Sequence, residues 1–171
     1  MKGRFSVLLL IPLAFGVWYL TGMLKHAHAP VTSGSGIPVI TSSVVSTAIA
    51  YERKQLGCPY VYGADGPCSK GFDCSSLVQQ AYRAAGVDIF RTSQQQWAEL
   101  RHVATPRIGD LVFFAGSDGT PTAPGHVGII LDPLHHLMID AYAAGTYVRE
   151  ETYGKSTSAP GLSIVVGFAV P

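Results

Sequence analysis

Gly71-Phe72-Asp73-Cys74-Ser75-Ser76-Leu77-Val78-Gln79-Gln80-Ala81-Tyr82-Arg83-Ala84-Ala85-Gly86 is the stretch from which the rest of the chain can be read outward. Cys74, Leu77, Val78, Ala81, Tyr82 and Ala85 recur at i, i+3, i+4, i+7, i+8 and i+11, one unbroken stripe that predicts a buried helix from about Asp73 to Ala85. Asp73 is placed as its N-cap, Phe72 and Leu77 have the spacing of a hydrophobic staple, and Gly86 supplies a left-handed stop. Cys74 is then the first residue inside the helix. A thiol needs help to become an attacking thiolate at neutral pH, and a helix N-terminus provides about half a positive charge there.

On the N-terminal side, Thr41-Ser42-Ser43 can cap a helix carrying Val44, Val45, Ala48, Ile49 and Leu56 near helical spacing, stopped by Gly57, with a loop from Cys58 to Phe72 behind it. On the C-terminal side a short helix is expected over Ser93 to Arg101, after which the pattern becomes β-prone. Five strands are expected, at Asp110 to Ala115, His126 to Leu131, Leu137 to Tyr142, Thr146 to Glu150 and Ser163 to Val170. Turn residues between them predict an antiparallel meander. Helices first and strands afterwards make an α+β domain with its helices on one face of the sheet.

The 171 residues suit one domain with an appendage. Lys and Arg number 12 against 11 Asp and Glu, and only 13% of residues are charged, which excludes a disordered polyelectrolyte and leaves no basic patch for nucleic acid. Lys2 and Arg4 precede an uncharged run from Phe5 to Leu24 that reads as an export segment. Its length favours a retained membrane anchor, while Ala27-His28-Ala29 favours cleavage as a signal peptide. Residues 30–43, rich in Gly, Ser, Thr and Pro, read as a flexible linker, leaving 44–171 as the folded domain, working outside the cytoplasm.

Cys74 still lacks a base. His126, in Gly125-His126-Val127-Gly128-Ile129, is the best candidate, because small neighbours leave the backbone open and a strand would fix the ring's direction. His102, His135 and His136 read as solvent-exposed. Joining the strands around His126 and Asp140 through Asp132-Pro133-Leu134 would put those two residues directly opposite, where a carboxylate can orient an imidazole. Asp140 lies among apolar residues, where an unpaired charge is costly. Outside the cytoplasm two cysteines normally pair. Cys58 with Cys68 would close the loop and leave Cys74 free; Cys68 with Cys74 is the other possibility, and the spacing does not match a structural zinc site. No metal or other cofactor is expected.

Pro59-Tyr60-Val61-Tyr62-Gly63, Gly71 to Val78, Arg91-Thr92-Ser93 with Gln96, Gly109 to Phe114 and Gly125 to Ile129 occur in the order found in the NlpC family of papain-like bacterial cell-wall peptidases, which the chain resembles from about Val44 to Pro171. The resemblance implies a papain-like domain and a cysteine endopeptidase cutting peptidoglycan stem peptides, most often between D-isoglutamate and a diamino acid. It implies Cys74 as nucleophile, His126 as general base and Asp140 as third polar residue, with Tyr60 beside the nucleophile and Asp73 and Ser75 contacting substrate. Three positions depart from the family pattern: Ser76 and Ala64 replace glycines, and Asp140 replaces the commoner histidine. An amidase of the same fold, or a catalytically silent wall-binding module, are the alternatives.

Overall fold

A computed structural model describes residues 41–171 except 117 and 158; the expected leader and nearly all of the linker lie outside the described residues. Thr41 caps α1 (Ser42–Arg53), its Oγ1 accepting from the Val44 N–H at 3.4 Å. The helix begins inside the expected linker boundary and ends before Leu56, which is exposed rather than part of a buried stripe. α2 (Cys74–Ala84) follows its apolar pattern closely, burying Cys74, Leu77, Val78, Ala81 and Tyr82. Tyr82 also ties the helix to the sheet layer through a hydrogen bond from its hydroxyl to the Gly109 carbonyl.

α3 (Ser93–Glu99) is shorter than expected, because Leu100 turns to extended backbone and Arg101–Val103 forms β1. The remaining strands are β2 (Leu111–Phe114), β3 (His126–Asp132), β4 (Leu137–Asp140), β5 (Arg149–Thr152) and β6 (Val165–Val170). Among the described residues the sheet therefore has six strands, not five, in the order β1-β6-β2-β3-β4-β5. Only β2 to β5 form a meander. β6 returns to pair with β2, which is apolar at all four positions and fully buried, so it needs a neighbour on each side and cover on both faces.

β5 also starts later than expected. Residues 146–148 do pair, but with the Cys58 to Tyr60 segment: Tyr60 N–H donates to Thr146 O at 3.0 Å and Val148 N–H to Cys58 O at 2.8 Å. A helix-side core contains Leu77, Val78, Tyr82, Leu111, Phe113, Ile129 and Ile139. A second core on the other face, with Val112, Phe114, Ile130 and Met138, is closed by Tyr153 and Leu162 from the segment between β5 and β6. Helices thus cover one face, as expected, and the opposite face is buried as well. Among the described residues no helix is long and apolar enough to cross a membrane.

Candidate active site

The first turn of α2 holds the free cysteine. Asp73 and Ser76 form a reciprocal capping box: Asp73 Oδ1 accepts from Ser76 N–H at 2.7 Å, and Ser76 Oγ accepts from Asp73 N–H at 3.1 Å. Ser76, one of the departures from the family glycine, is fully buried and turned into its own cap, so its added bulk does not reach a substrate. Cys74 is 5% exposed, and its thiol lies 3.8 Å from the Gly125 carbonyl oxygen.

Arg91 braces this turn. Its Nη2 meets Asp73 Oδ2 at 2.7 Å and its Nη1 meets Asp73 Oδ1 at 3.0 Å, a bidentate pair. The same guanidinium donates to Ser75 Oγ and to the carbonyls of Gly63 and Ala64. Gly63 N–H and Ser75 Oγ also donate to the Asp73 carboxylate. Both Asp73 oxygens are therefore occupied from within the protein, and Ser75 is drawn into the same cluster. Gln96, fully buried, adds a bond from its amide to the Ser75 carbonyl at 3.0 Å, which anchors α3 to α2.

Tyr60 reaches the site through an isolated bridge with Phe72, two residues before the nucleophile. That approach depends on Gly71, whose φ is +85° and where a Cβ would lie 2.6 Å from the Pro59 carbonyl oxygen. Cys58 and Cys68 are disulfide-bonded around this loop, and Cys74 is free. Burial, followed by the charges of Cys74, Asp73 and Asp118, pushes the Tyr60 hydroxyl up to about 12, so it remains a donor.

His126 opens β3 with its Nε2 2.7 Å from Asp140 Oδ2, in a pair that is almost wholly buried. The expected register is corrected. Ile129 pairs with Ile139 and Ile130 with Met138, then Leu131 is bulged before Asp132 pairs with Leu137. Carried on, this puts Gly128 rather than His126 opposite Asp140, and a Cβ on Gly128 would lie 3.2 Å from the Asp140 Cβ. The reading put the turn at Asp132 to Leu134, whereas residues 133–136 form it. The shift is two residues, a full strand period, so Asp140 stays on the face of His126 and meets it diagonally.

With Nε2 committed to Asp140, Nδ1 is the nitrogen left to face the thiol, which is within hydrogen-bonding reach of the ring. Burial alone would lower the imidazole pKa. The charge of Cys74 and the hydrogen bonds to Asp140 and Cys74 outweigh it and push the value up to about 10, favouring the imidazolium form of His126. Tyr142 stands edge-on to the ring at 5.6 Å. His102, His135 and His136 are exposed, as the sequence implied.

Sequence reading missed four residues at the site. Arg91 stands in the sequence only as part of the Arg91-Thr92-Ser93 motif, although a near-buried Asp73 calls for a cation. Glu52, on α1, is fully buried with no donor to either carboxylate oxygen, and burial followed by the charge of Asp140 raises its pKa well above the ordinary range. Arg149 and Glu151 lie on β5 beside Asp140. Nothing in the linear pattern marks Glu52, because a helix with Arg53 and Lys54 next to it reads as solvated there. Among the described residues no three of His, Cys, Asp or Glu are grouped to hold a metal ion.

An α+β domain with a buried Cys-His-Asp constellation at the junction of a helix N-terminus and an antiparallel sheet is a recognisable class. The NlpC/P60 family model matches residues 57–160, and the chain belongs to that family. It is 44% identical over 80 residues to the gamma-DL-glutamyl hydrolase of Bacillus subtilis, covering 45% of this chain and 19% of that protein. It is 40% identical over 90 residues to the bifunctional muramidase/DL-endopeptidase CwlT of the same organism, covering 51% and 25%. The chain spans less than half the length of these relatives. Among solved structures, the peptidoglycan hydrolase RipB of Mycobacterium tuberculosis superposes with a TM-score of 0.57 at 26% identity, over 80% of this chain and 75% of RipB. An NLP/P60 lipoprotein of Staphylococcus aureus has the same fold, with a TM-score of 0.61 at 23% identity over 83% and 43% of the two chains.

Proposed function

We propose that this chain is an exported cysteine endopeptidase that cleaves peptidoglycan stem peptides, at the bond between D-isoglutamate and a diamino acid, through an acyl-enzyme. The observation that carries the reading is the free thiol of Cys74 at the start of α2, 3.8 Å from the carbonyl oxygen of Gly125, beside His126, whose imidazole is held by Asp140 at 2.7 Å. Relatives named as a DL-endopeptidase and a gamma-DL-glutamyl hydrolase support the substrate class. Extracytoplasmic action, with the N-terminal segment as signal or anchor, belongs to the same proposal.

In this mechanism the Cys74 thiolate attacks the carbonyl carbon of the scissile amide, and the electron pair moves onto its oxygen. The Cys74 N–H at the helix start and the Tyr60 hydroxyl are the donors available to that oxygen. As the tetrahedral intermediate collapses, the C–N bond breaks and the His126 imidazolium gives its proton to the departing amine. Water, deprotonated by the now neutral His126, then attacks the thioester; the C–S bond breaks, the acid leaves, and the thiolate-imidazolium pair is restored. Asp140 holds the ring in position and balances its charge throughout. Asp73 and Ser75 take part at the substrate wall together with Arg91, which already neutralises the Asp73 carboxylate.

Digestion of purified peptidoglycan by the full chain, with mass spectrometry of the fragments, tests the reading. Fragments beginning with the free amine of the diamino acid are expected, and Cys74→Ala should remove at least about 10³-fold of the activity. Fragments cut at the glycan-peptide junction would make the enzyme an amidase. Activity unchanged by Cys74→Ala, or binding to the wall without cleavage, would end the proposal.

A further inference from the structure

Asp140 is held by one oxygen only. Oδ2 meets His126, while Oδ1 is buried and receives no N–H or O–H donor. In the β4-β5 register Arg149 lies opposite Asp140 and Glu151 opposite Met138, so both β5 side chains share the face of Asp140. Glu151, two residues beyond Arg149, is therefore the diagonal neighbour of Asp140 on that face, and burial together with the Asp140 charge holds its carboxyl above the usual range. Two neighbouring carboxylates repel unless a cation or proton intervenes, and Arg149 supplies the cation: its Nε is 2.8 Å from Glu151 Oε1 and its Nη2 2.9 Å from Oε2. The Arg149 guanidinium also stands 5.5 Å over the ring of Tyr142, whose edge faces His126. Around the imidazole, then, stand Cys74 from α2, Asp140 from β4 and Tyr142 after it, with Arg149 and Glu151 of β5 beside Asp140 and Glu52 of α1 feeling the Asp140 charge.

We propose that Arg149 and Glu151 are positioning residues of opposite sign: through Asp140, Glu151 strengthens the hold on the His126 imidazolium and Arg149 weakens it. This rests on the reading of Cys74, His126 and Asp140 as the reacting set. A simple edge-strand ion pair would hold the strand in place and nothing more. What separates this pair from one of those is its place in the register, opposite and diagonal to a carboxylate that itself touches the reacting imidazole.

The experiment uses the full chain and two readouts: the alkaline limb of kcat/KM on a soluble stem peptide, and the ring nitrogen shifts of His126 followed by NMR against pH, assigned by their loss in His126→Asn. Glu151→Gln removes a negative charge and should move both readings to lower pH by about half a unit. Arg149→Gln leaves Glu151 uncompensated and should move both upward by a similar amount, while Glu151→Asp restores the wild-type limb. Movement of the two glutamine variants in the same direction, or a fall in kcat with neither limb nor ring titration moved, overturns the proposal. Either variant decides alone if the other fails to fold. If neither folds, Glu151→Asp and Arg149→Lys keep the signs of charge, so unmoved limbs support the proposal and a moved one overturns it. The ring titration needs no turnover. Opposed shifts in a protein that cuts no peptidoglycan would sink the functional reading and leave this inference standing; an active enzyme with an unmoved ring would do the reverse.

Discussion

The two halves of the candidate site are built differently. Around Cys74 nearly all the polar groups are satisfied from within: both Asp73 oxygens, the Ser75 and Ser76 hydroxyls and the Ser75 carbonyl have partners, and the buried Gln96 Oε1 is the exception. Around His126 orphan acceptors accumulate. Asp140 Oδ1 and both oxygens of Glu52 are buried without a donor, and Glu151 presses on Asp140. The contrast separates two means of building a nucleophile-base pair. Hydrogen bonds and a cap hold the sulfur in place, whereas charge in a dry environment sets the protonation of the ring.

The largest test of that contrast acts on the charged half. Asp140→Asn keeps the shape and removes the charge that balances the imidazolium, and kcat/KM should fall about 10²-fold, with the alkaline limb moving to lower pH. An unchanged pH profile would mean that Asp140 merely orients the ring, and the contrast would weaken. On the hydrogen-bonded half, Arg91→Ala leaves the near-buried Asp73 carboxylate without its cation. Breaking a buried pair costs about 3 to 5 kcal/mol, and Arg91 is 34% exposed, so about 2 kcal/mol is expected from denaturant unfolding. A loss below about 0.5 kcal/mol would show that the cap and Gly63 suffice without Arg91.

Glu52 offers the subtlest test, because its effect appears only as a pH dependence. Its folded-state pKa is raised, so above the ordinary value of 4.5 the unfolded chain releases a proton that the folded chain keeps, and stability declines as pH rises through that window. His126, raised from 6.5 to about 10, adds a decline of the same sign between those values. Glu52→Gln cannot titrate. Urea unfolding at several pH values should therefore show a flatter profile for the variant and a relative gain on the alkaline side. Parallel profiles for variant and wild type would mean that Glu52 is not a buried proton holder.

Much of the nucleophile half was legible beforehand because its determinants are neighbours in the chain. The apolar stripe, the Asp73 cap, the Phe72-Leu77 spacing and the odd cysteine all act within about one loop and one helix. The base half was legible only in part. That His126 and Asp140 share a face survived a wrong turn placement, since an error of two residues preserves strand facing. The register itself did not, because a bulge at Leu131 leaves no local mark in Ile129-Ile130-Leu131-Asp132. β1 was missed for a related reason: three residues at a helix end become a strand only because β6 is beside them.

The sequence by itself determined the helix that presents the cysteine, the α+β order of elements and the motifs that identify the family, since each depends on spacing along the chain. Only the tertiary structure decided the strand order, the diagonal pairing of His126 with Asp140, and the gathering of Glu52, Arg149 and Glu151 around it. Those features rest on the packing of segments distant in sequence, and burial, which turns an ordinary carboxylate into a proton holder, exists only once they have packed.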